Sequence, residues 1–209
     1  MYSGWSITTP EYYTVYHALP RGASFWRLLF NIDRDLAARA RQQGCPCGGR
    51  LDCAHFPRKP QGGGRDFPKE YGYRLSFCCA REGCRKRVTP PSARFLGRKV
   101  YLGAVVVLVA ALREGPTPRR VRELTELFGA DRTTIARWQV FWREQFPQTP
   151  FWRVERGRLV PAVEAGAVLP GALLDAFLGQ QDRDQDWGRL LEFLAPSAVA
   201  GGRESTVFR

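Results

Sequence analysis

All six cysteines of this 209-residue chain lie between positions 45 and 84. A disulfide framework spreads its cysteines along a short secreted chain. Here they form two clusters. The first is Cys45-Pro46-Cys47-Gly48-Gly49, with Cys53 close behind, and the second is Cys78-Cys79 and Cys84 in the run FCCAREGCRKR. The opening run MYSGWSITTPEYY has neither a basic n-region nor an apolar h-region, so no secretory leader is expected. Clustered cysteines in such a chain point to reduced thiolates on a metal.

The spacing favours one arrangement of ligands. A zinc ribbon holds Zn²⁺ tetrahedrally between two knuckles, each giving two thiolates from a tight turn. Glycine supplies the backbone freedom that lets amides face sulfur. Gly48, Gly49 and Gly83 stand where such turns need them. Cys45, Cys47, Cys79 and Cys84 are the expected ligands, with Cys53, Cys78 and His55 as alternatives. Four thiolates close the coordination sphere, so a structural Zn²⁺ is expected rather than a catalytic one. A module with little apolar core would fold on that metal. Zinc binding in small finger peptides is worth ~10–16 kcal/mol.

Charge coincides with the cysteines. The chain has a net charge of +12, and residues 45–100 alone carry +9 of it. Such a balance calls for an acidic partner, nucleic acid first. Arg58, Lys59, Arg65, Arg81, Arg85, Lys86 and Arg87 are the expected phosphate contacts of the module.

Helical periodicity flanks the cysteine segment. Phe25, Leu28, Leu29, Ile32, Leu36 and Ala37 recur at helical spacing, with Ser24 as a candidate cap and Gly44 as the stop. Tyr71 to Cys79 alternates as a strand does. Phe95 to Arg113 reads as a mostly buried helix, closed by Glu114-Gly115-Pro116. Short helices are expected at 170–178 and 187–194, and the run Asp182, Asp184, Asp186 reads as a solvated acidic turn.

The run PRRVRELTELFGADRTTIARWQVFWRE reads as a helix-turn-helix with Gly129 at the turn. Leu124, Phe128, Ile135 and Trp138 then face one another. Thr125 supplies the small residue for close approach, Thr117 caps the first helix and Asp131 caps the second. The second helix, at 131–145, presents Arg132, Thr133, Thr134, Arg137 and Arg143 outward for base readout in a major groove. Arg119 and Arg120 suit backbone phosphates.

Other chemistries lack their residues. The two histidines, His17 and His55, stand beside no nucleophile pattern, and no GxxxxGK[ST] phosphate loop is present. The longest apolar run, Val100 to Leu112, has 13 residues, short of the ~20 that span a bilayer. No enzymatic activity and no membrane partner are expected.

The runs CPCGG, FPRKPQGG and FCCAREGCRKRVTPPSARFLGRKVYLG, followed by the helix-turn-helix, resemble a group of short bacterial proteins linked to insertion elements. In these a transposase-type zinc ribbon is joined to a helix-turn-helix. The resemblance covers roughly residues 25–150. It implies a DNA-binding accessory or regulator of a mobile element, without strand-transfer activity. It carries over Cys45, Cys47, Cys79 and Cys84 as ligands, Arg58-Lys59-Pro60 as a basic loop and Arg85-Lys86-Arg87 as a basic segment. The first knuckle is C-x-C where transposase ribbons have C-x2-C, which leaves the exact ligand set open.

The expected architecture is α+β and mainly α. An N-terminal arm and amphipathic helix (1–44) lead into a small zinc-ribbon β module (45–92). A three-helix helix-turn-helix domain (93–149) and a region of short helices (150–209) follow. The expected function is zinc-dependent binding of double-stranded DNA in the cytoplasm, at the nucleoid. RNA, or a protein partner such as a transposase subunit, is the alternative.

Overall fold

The computed structural model describes residues 22–58, 67–95, 103–110, 118–159, 163, 167–180 and 182–198. It is mainly helical, with two small antiparallel sheets. Helix α1 (Ala23–Gln43) buries Phe25, Trp26, Leu29 and Ala37 along one face. Gly44, at φ 72°, takes the left-handed conformation that ends it. Ser24 is not its cap. Gly22 holds that position without a side-chain bond, and Ser24 Oγ instead donates to Asp184 Oδ2 at 3.0 Å.

The cysteine segment forms the sheets. Strands β1 (Leu51–Cys53), β4 (Phe77–Cys79) and β5 (Arg87–Val88) pair antiparallel in the order β1-β4-β5. Strands β2 (Phe56–Pro57) and β3 (Tyr73–Arg74) make a second, two-stranded sheet. The single strand expected over Tyr71–Cys79 is thus split between two sheets. The split falls at Leu75 and Ser76, where the Ser76 N–H donates to His55 Nδ1 at 3.1 Å rather than continuing a ladder.

The remaining helices are α2 (Gly103–Ala110), α3 (Pro118–Phe128), α4 (Arg132–Val140), α5 (Pro150–Glu155), α6 (Gly171–Phe177) and α7 (Arg183–Leu194). The helix expected over 95–113 starts later. Phe95 lies in an isolated bridge, and Glu114-Gly115-Pro116 and Thr117 fall outside the described residues. Gly129, at φ 67°, turns the chain between α3 and α4. The Asp131 carboxylate caps α4 by accepting from the Thr134 N–H at 2.6 Å. Thr125 has another role than close approach: it is exposed, and its hydroxyl bonds to the carbonyls of Val121 (2.7 Å) and Ala130 (2.9 Å). Past Val140 the helix widens into a π-turn (Phe141–Gln145) and tightens again over Phe146–Gln148. Helix α5 has no counterpart in the sequence expectations. Thr149 caps it, accepting from the Trp152 N–H at 3.1 Å.

The acidic run at 182–186 is a helix start rather than a solvated turn. Asp182 caps α7 through the N–H groups of Asp184 and Gln185. Asp186 is buried; it accepts from the N–H groups of Gly179 (2.7 Å) and Gln180 (3.1 Å) and pairs with Arg189 at 2.5 Å.

The buried residues form two cores. The larger joins Phe25, Trp26 and Leu29 of α1 to Val105–Val107 of α2, Ile135 and Trp138 of α4, and Trp187, Leu190 and Leu191 of α7. Residues after 150 therefore build the same core as helices α2 and α4. Gly188 brings α7 close to α1, for a Cβ there would stand 3.0 Å from Leu28 Cδ2. The smaller core joins Ala37 to Cys45, Leu51, Leu75, Phe77 and Cys79, with Phe30 packed against it. Helix α1 thus serves both cores.

An ion pair closes the seam between them. Asp33 on α1 is 1% exposed and Arg94 0% exposed, with Arg94 Nε 2.8 Å from Asp33 Oδ2. The same carboxylate accepts from Ser92 Oγ and the Ala93 N–H, both at 2.6 Å. Arg94 also donates to the carbonyls of Tyr71 and Tyr73 and stands 4.8 Å from the Phe30 ring centroid. Arg74 donates to the Pro90 carbonyl at 2.6 Å, and burial draws its pKa down to about 10.

Candidate metal centre

The first knuckle begins where α1 stops. Gly44 turns the chain, Gly48 at φ 79° turns it again, and the Gly48 N–H donates to the Cys45 carbonyl at 2.8 Å. The second knuckle leaves β4 at Cys79 and turns through Gly83 at φ 79° to Cys84. β1 pairs with β4 in the register Leu51↔Cys79, which brings the two turns face to face.

The sulfurs of Cys45, Cys47, Cys79 and Cys84 all lie within 4.8 Å of one another. Cys47 Sγ is 3.4 Å from Cys45 Sγ and 3.5 Å from Cys79 Sγ, and Cys45 Sγ is 3.7 Å from Cys84 Sγ. A tetrahedron with metal–sulfur bonds of ~2.3 Å has sulfur–sulfur edges of about 3.8 Å. The three short edges fit that figure, so the donor set suits a four-thiolate metal ion.

Local backbone supports the sulfurs. The Cys47 amide faces Cys45 Sγ, the Gly49 amide Cys47 Sγ and the Arg81 amide Cys79 Sγ. Gly49 is required for a second reason: a Cβ there would lie 2.5 Å from Cys79 Sγ and 3.3 Å from Cys47 Sγ. The Gly49 amide, then its sulfur neighbours, lower the Cys47 pKa to about 6. The Arg81 amide favours a Cys79 thiolate, but burial and the other three thiols outweigh it and push Cys79 up to about 12. The Cys47 amide acts the same way on Cys45, and there too burial and neighbouring thiols prevail and raise the pKa. A metal would displace the protons these thiols compete for.

The alternative ligands stand apart. Cys53 is exposed on β1. Cys78 lies opposite Asp52 in the ladder, and its thiol donates to the Arg85 carbonyl at 3.3 Å. His55 is occupied by Ser76 and stacks against Tyr73 at 6.1 Å.

The expected phosphate contacts are not equivalent. Arg85 and Lys86 are exposed, and Arg85 holds a left-handed backbone at φ 43°. Arg87 is exposed but engaged: it donates to the Ala54 carbonyl (3.1 Å) and Ser76 Oγ (3.2 Å) and lies over Phe56 at 5.5 Å. Arg81 donates to the Cys47 carbonyl at 2.7 Å. Arg58 is half-buried, and its Nε is enclosed without a hydrogen-bond partner. Lys59 and Arg65 lie outside the described residues.

Arg119 and Arg120 sit in the first turn of α3, their side chains outside the described set. On α4, Arg132, Thr133 and Arg137 are exposed, Thr134 is half-buried, and Ile135 and Trp138 are buried. Arg143 is exposed on the π-turn.

The sequence reading did not find the buried Asp33–Arg94 pair or the bond from Arg81 to the first knuckle. Neither leaves a spacing signal, because each joins residues far apart in the chain. Among the described residues no helix is long and apolar enough to cross a membrane. Comparison with protein-family models, curated proteins and solved structures gives no match.

Proposed function

We propose that this chain is a non-catalytic, zinc-dependent protein that binds double-stranded DNA. The observation that carries this reading is the four-sulfur cluster, which lies inside the segment that holds most of the net charge. Zn²⁺ held by Cys45, Cys47, Cys79 and Cys84 folds the module as a ribbon. Arg85 and Lys86 then contact phosphates, with Arg58 and Arg87 adding charge behind them.

Helices α3 and α4 act as a helix-turn-helix, with Ile135 and Trp138 inward and Arg132, Thr133 and Arg137 toward the bases. Arg119, Arg120 and Arg143 flank that surface. A role as accessory to a mobile element, in the cytoplasm at the nucleoid, rests on the resemblance of the cysteine and basic runs alone.

The test is duplex binding by the zinc-loaded chain, before and after chelation, with two variants. Chelation abolishes binding. Arg137→Ala costs ~1–3 kcal/mol on a selected site and relaxes specificity, and Lys86→Ala weakens all duplexes alike and lowers the salt slope by about one. Equal losses on selected and random duplex for both variants contradict this division. A preference for single-stranded RNA, or no nucleic-acid affinity at low salt, replaces it with the RNA or adaptor reading.

A further inference from the structure

The first knuckle, Cys45-Pro46-Cys47, is one residue shorter than the usual two-thiolate turn. Its backbone acceptors still need partners. The Gly48 N–H takes the Cys45 carbonyl at 2.8 Å, and the Cys45 N–H takes the Gly49 carbonyl at 3.4 Å. The Cys47 carbonyl is met from outside the turn, by Arg81 Nη1 at 2.7 Å.

Arg81 is tied to the second knuckle as well. Its carbonyl accepts from the Cys84 N–H at 3.1 Å, and its amide faces Cys79 Sγ. Its Cβ stands so close to Gly49 that a Cβ on that glycine would lie 2.9 Å away. One residue therefore joins the backbones of both turns and lies beside the Cys79 sulfur of the second. Its guanidinium also places a positive charge beside a site that four thiolates and a divalent ion would leave at about −2.

We propose that Arg81 is a positioning residue of the metal centre, which latches the short knuckle and slows metal loss, and not a nucleic-acid contact. This rests on the reading of the four cysteines as metal ligands. Lys86 is the matched control, since it is exposed on the same module and its side chain has no hydrogen-bond partner among the described residues.

The experiment loads the full chain with Zn²⁺ and follows release to excess chromogenic chelator. Arg81→Ala releases metal about tenfold or more faster than the unsubstituted chain, the usual scale for an outer-shell partner. Arg81→Lys lies between the two, and Lys86→Ala is unchanged. Loaded with Co²⁺, Arg81→Ala keeps the thiolate charge-transfer absorption, which places all four ligands on the metal and shows the module folded. The salt slope of duplex binding falls by about one in Lys86→Ala and stays fixed in Arg81→Ala.

Wild-type release from Arg81→Ala, or equal acceleration by Lys86→Ala, overturns the latch. So does a salt slope lowered in Arg81→Ala. Failure of the unsubstituted chain to take up metal is a separate result, visible before any variant is made, and it removes the metal reading itself.

Discussion

The sheet module and the helical body meet along α1 but are held together by different means. The body buries Trp26, Trp138, Trp142 and Trp187 completely, with Phe25, Phe95, Phe146 and a set of aliphatic side chains around them. Trp142 and Phe146 lie 4.6 Å apart, and Phe146 and Trp152 5.3 Å, so one packed aromatic cluster runs from the π-turn after α4 into α5. Among the described residues, the module's core buries Ala37, Leu51, Leu75 and Phe77 beside two cysteines, with Phe30, Tyr73 and Val88 packed against them. Its strands are two or three residues long. Strands that short with so little apolar surface are marginal alone. The contrast is that burial holds the body, while the module has little apolar surface and four sulfurs placed where they could hold a metal ion.

The seam offers the largest disruption short of the ligands. Asp33→Ala leaves Arg94 buried without its counter-charge, which costs about 3–5 kcal/mol. Because the pair lies between the cores, urea unfolding followed by tryptophan emission and by metal release shifts in both signals. A shift in only one of them makes the seam a local feature of that core.

Leu191→Ala breaks the body alone. This fully buried residue of α7 lies in the larger core, and truncating it costs about 2–5 kcal/mol. Thermal unfolding of the helices moves down while metal content stays the same. Loss of metal in this variant contradicts the separation of the two cores.

Smallest of all is Arg39→Ala. Arg39 pairs with Glu192 at 3.3 Å, but both side chains are exposed. Its removal changes stability by less than about 1 kcal/mol. A larger effect marks the α1–α7 contact as more than packing.

Metal uptake also follows pH. The thiols of Cys45 and Cys79 are held above their usual range and Cys47 below it, at about 6. Each bound thiolate must lose its proton, so apparent zinc affinity falls as pH falls. Competition titrations at pH 8 and pH 6 check the direction.

Local signals in the sequence carried much of this architecture. The cysteine and glycine spacing located the four sulfurs, because a knuckle is built from neighbours in the chain. The cap at Asp131 and the stops at Gly44 and Gly129 were legible for the same reason. The helices expected from Ser24 to Gly44 and over 131–145 and 170–178 correspond to α1, α4 with its π-turn, and α6, while α7 begins four residues before the expected 187–194.

What was missed depends on distant partners. The strand over Tyr71–Cys79 looked continuous because nothing local announces that His55 takes the Ser76 amide. The acidic run looked solvated because the burial of Asp186 comes from the tertiary setting around Gly179 and Arg189. The short helices expected after 150 gave no sign of what they pack against, and Trp187, Leu190 and Leu191 join the larger core.

The central claim is that the module's order comes from a metal and the body's from packing. Hydrogen exchange of the intact, zinc-loaded chain, read by mass spectrometry before and after chelation, tests it most directly. The account predicts about one zinc per chain, and on chelation a loss of protection in β1, β4 and β5 while α4 and α7 keep theirs. No bound zinc, or protection in the strands unchanged by chelation, contradicts it.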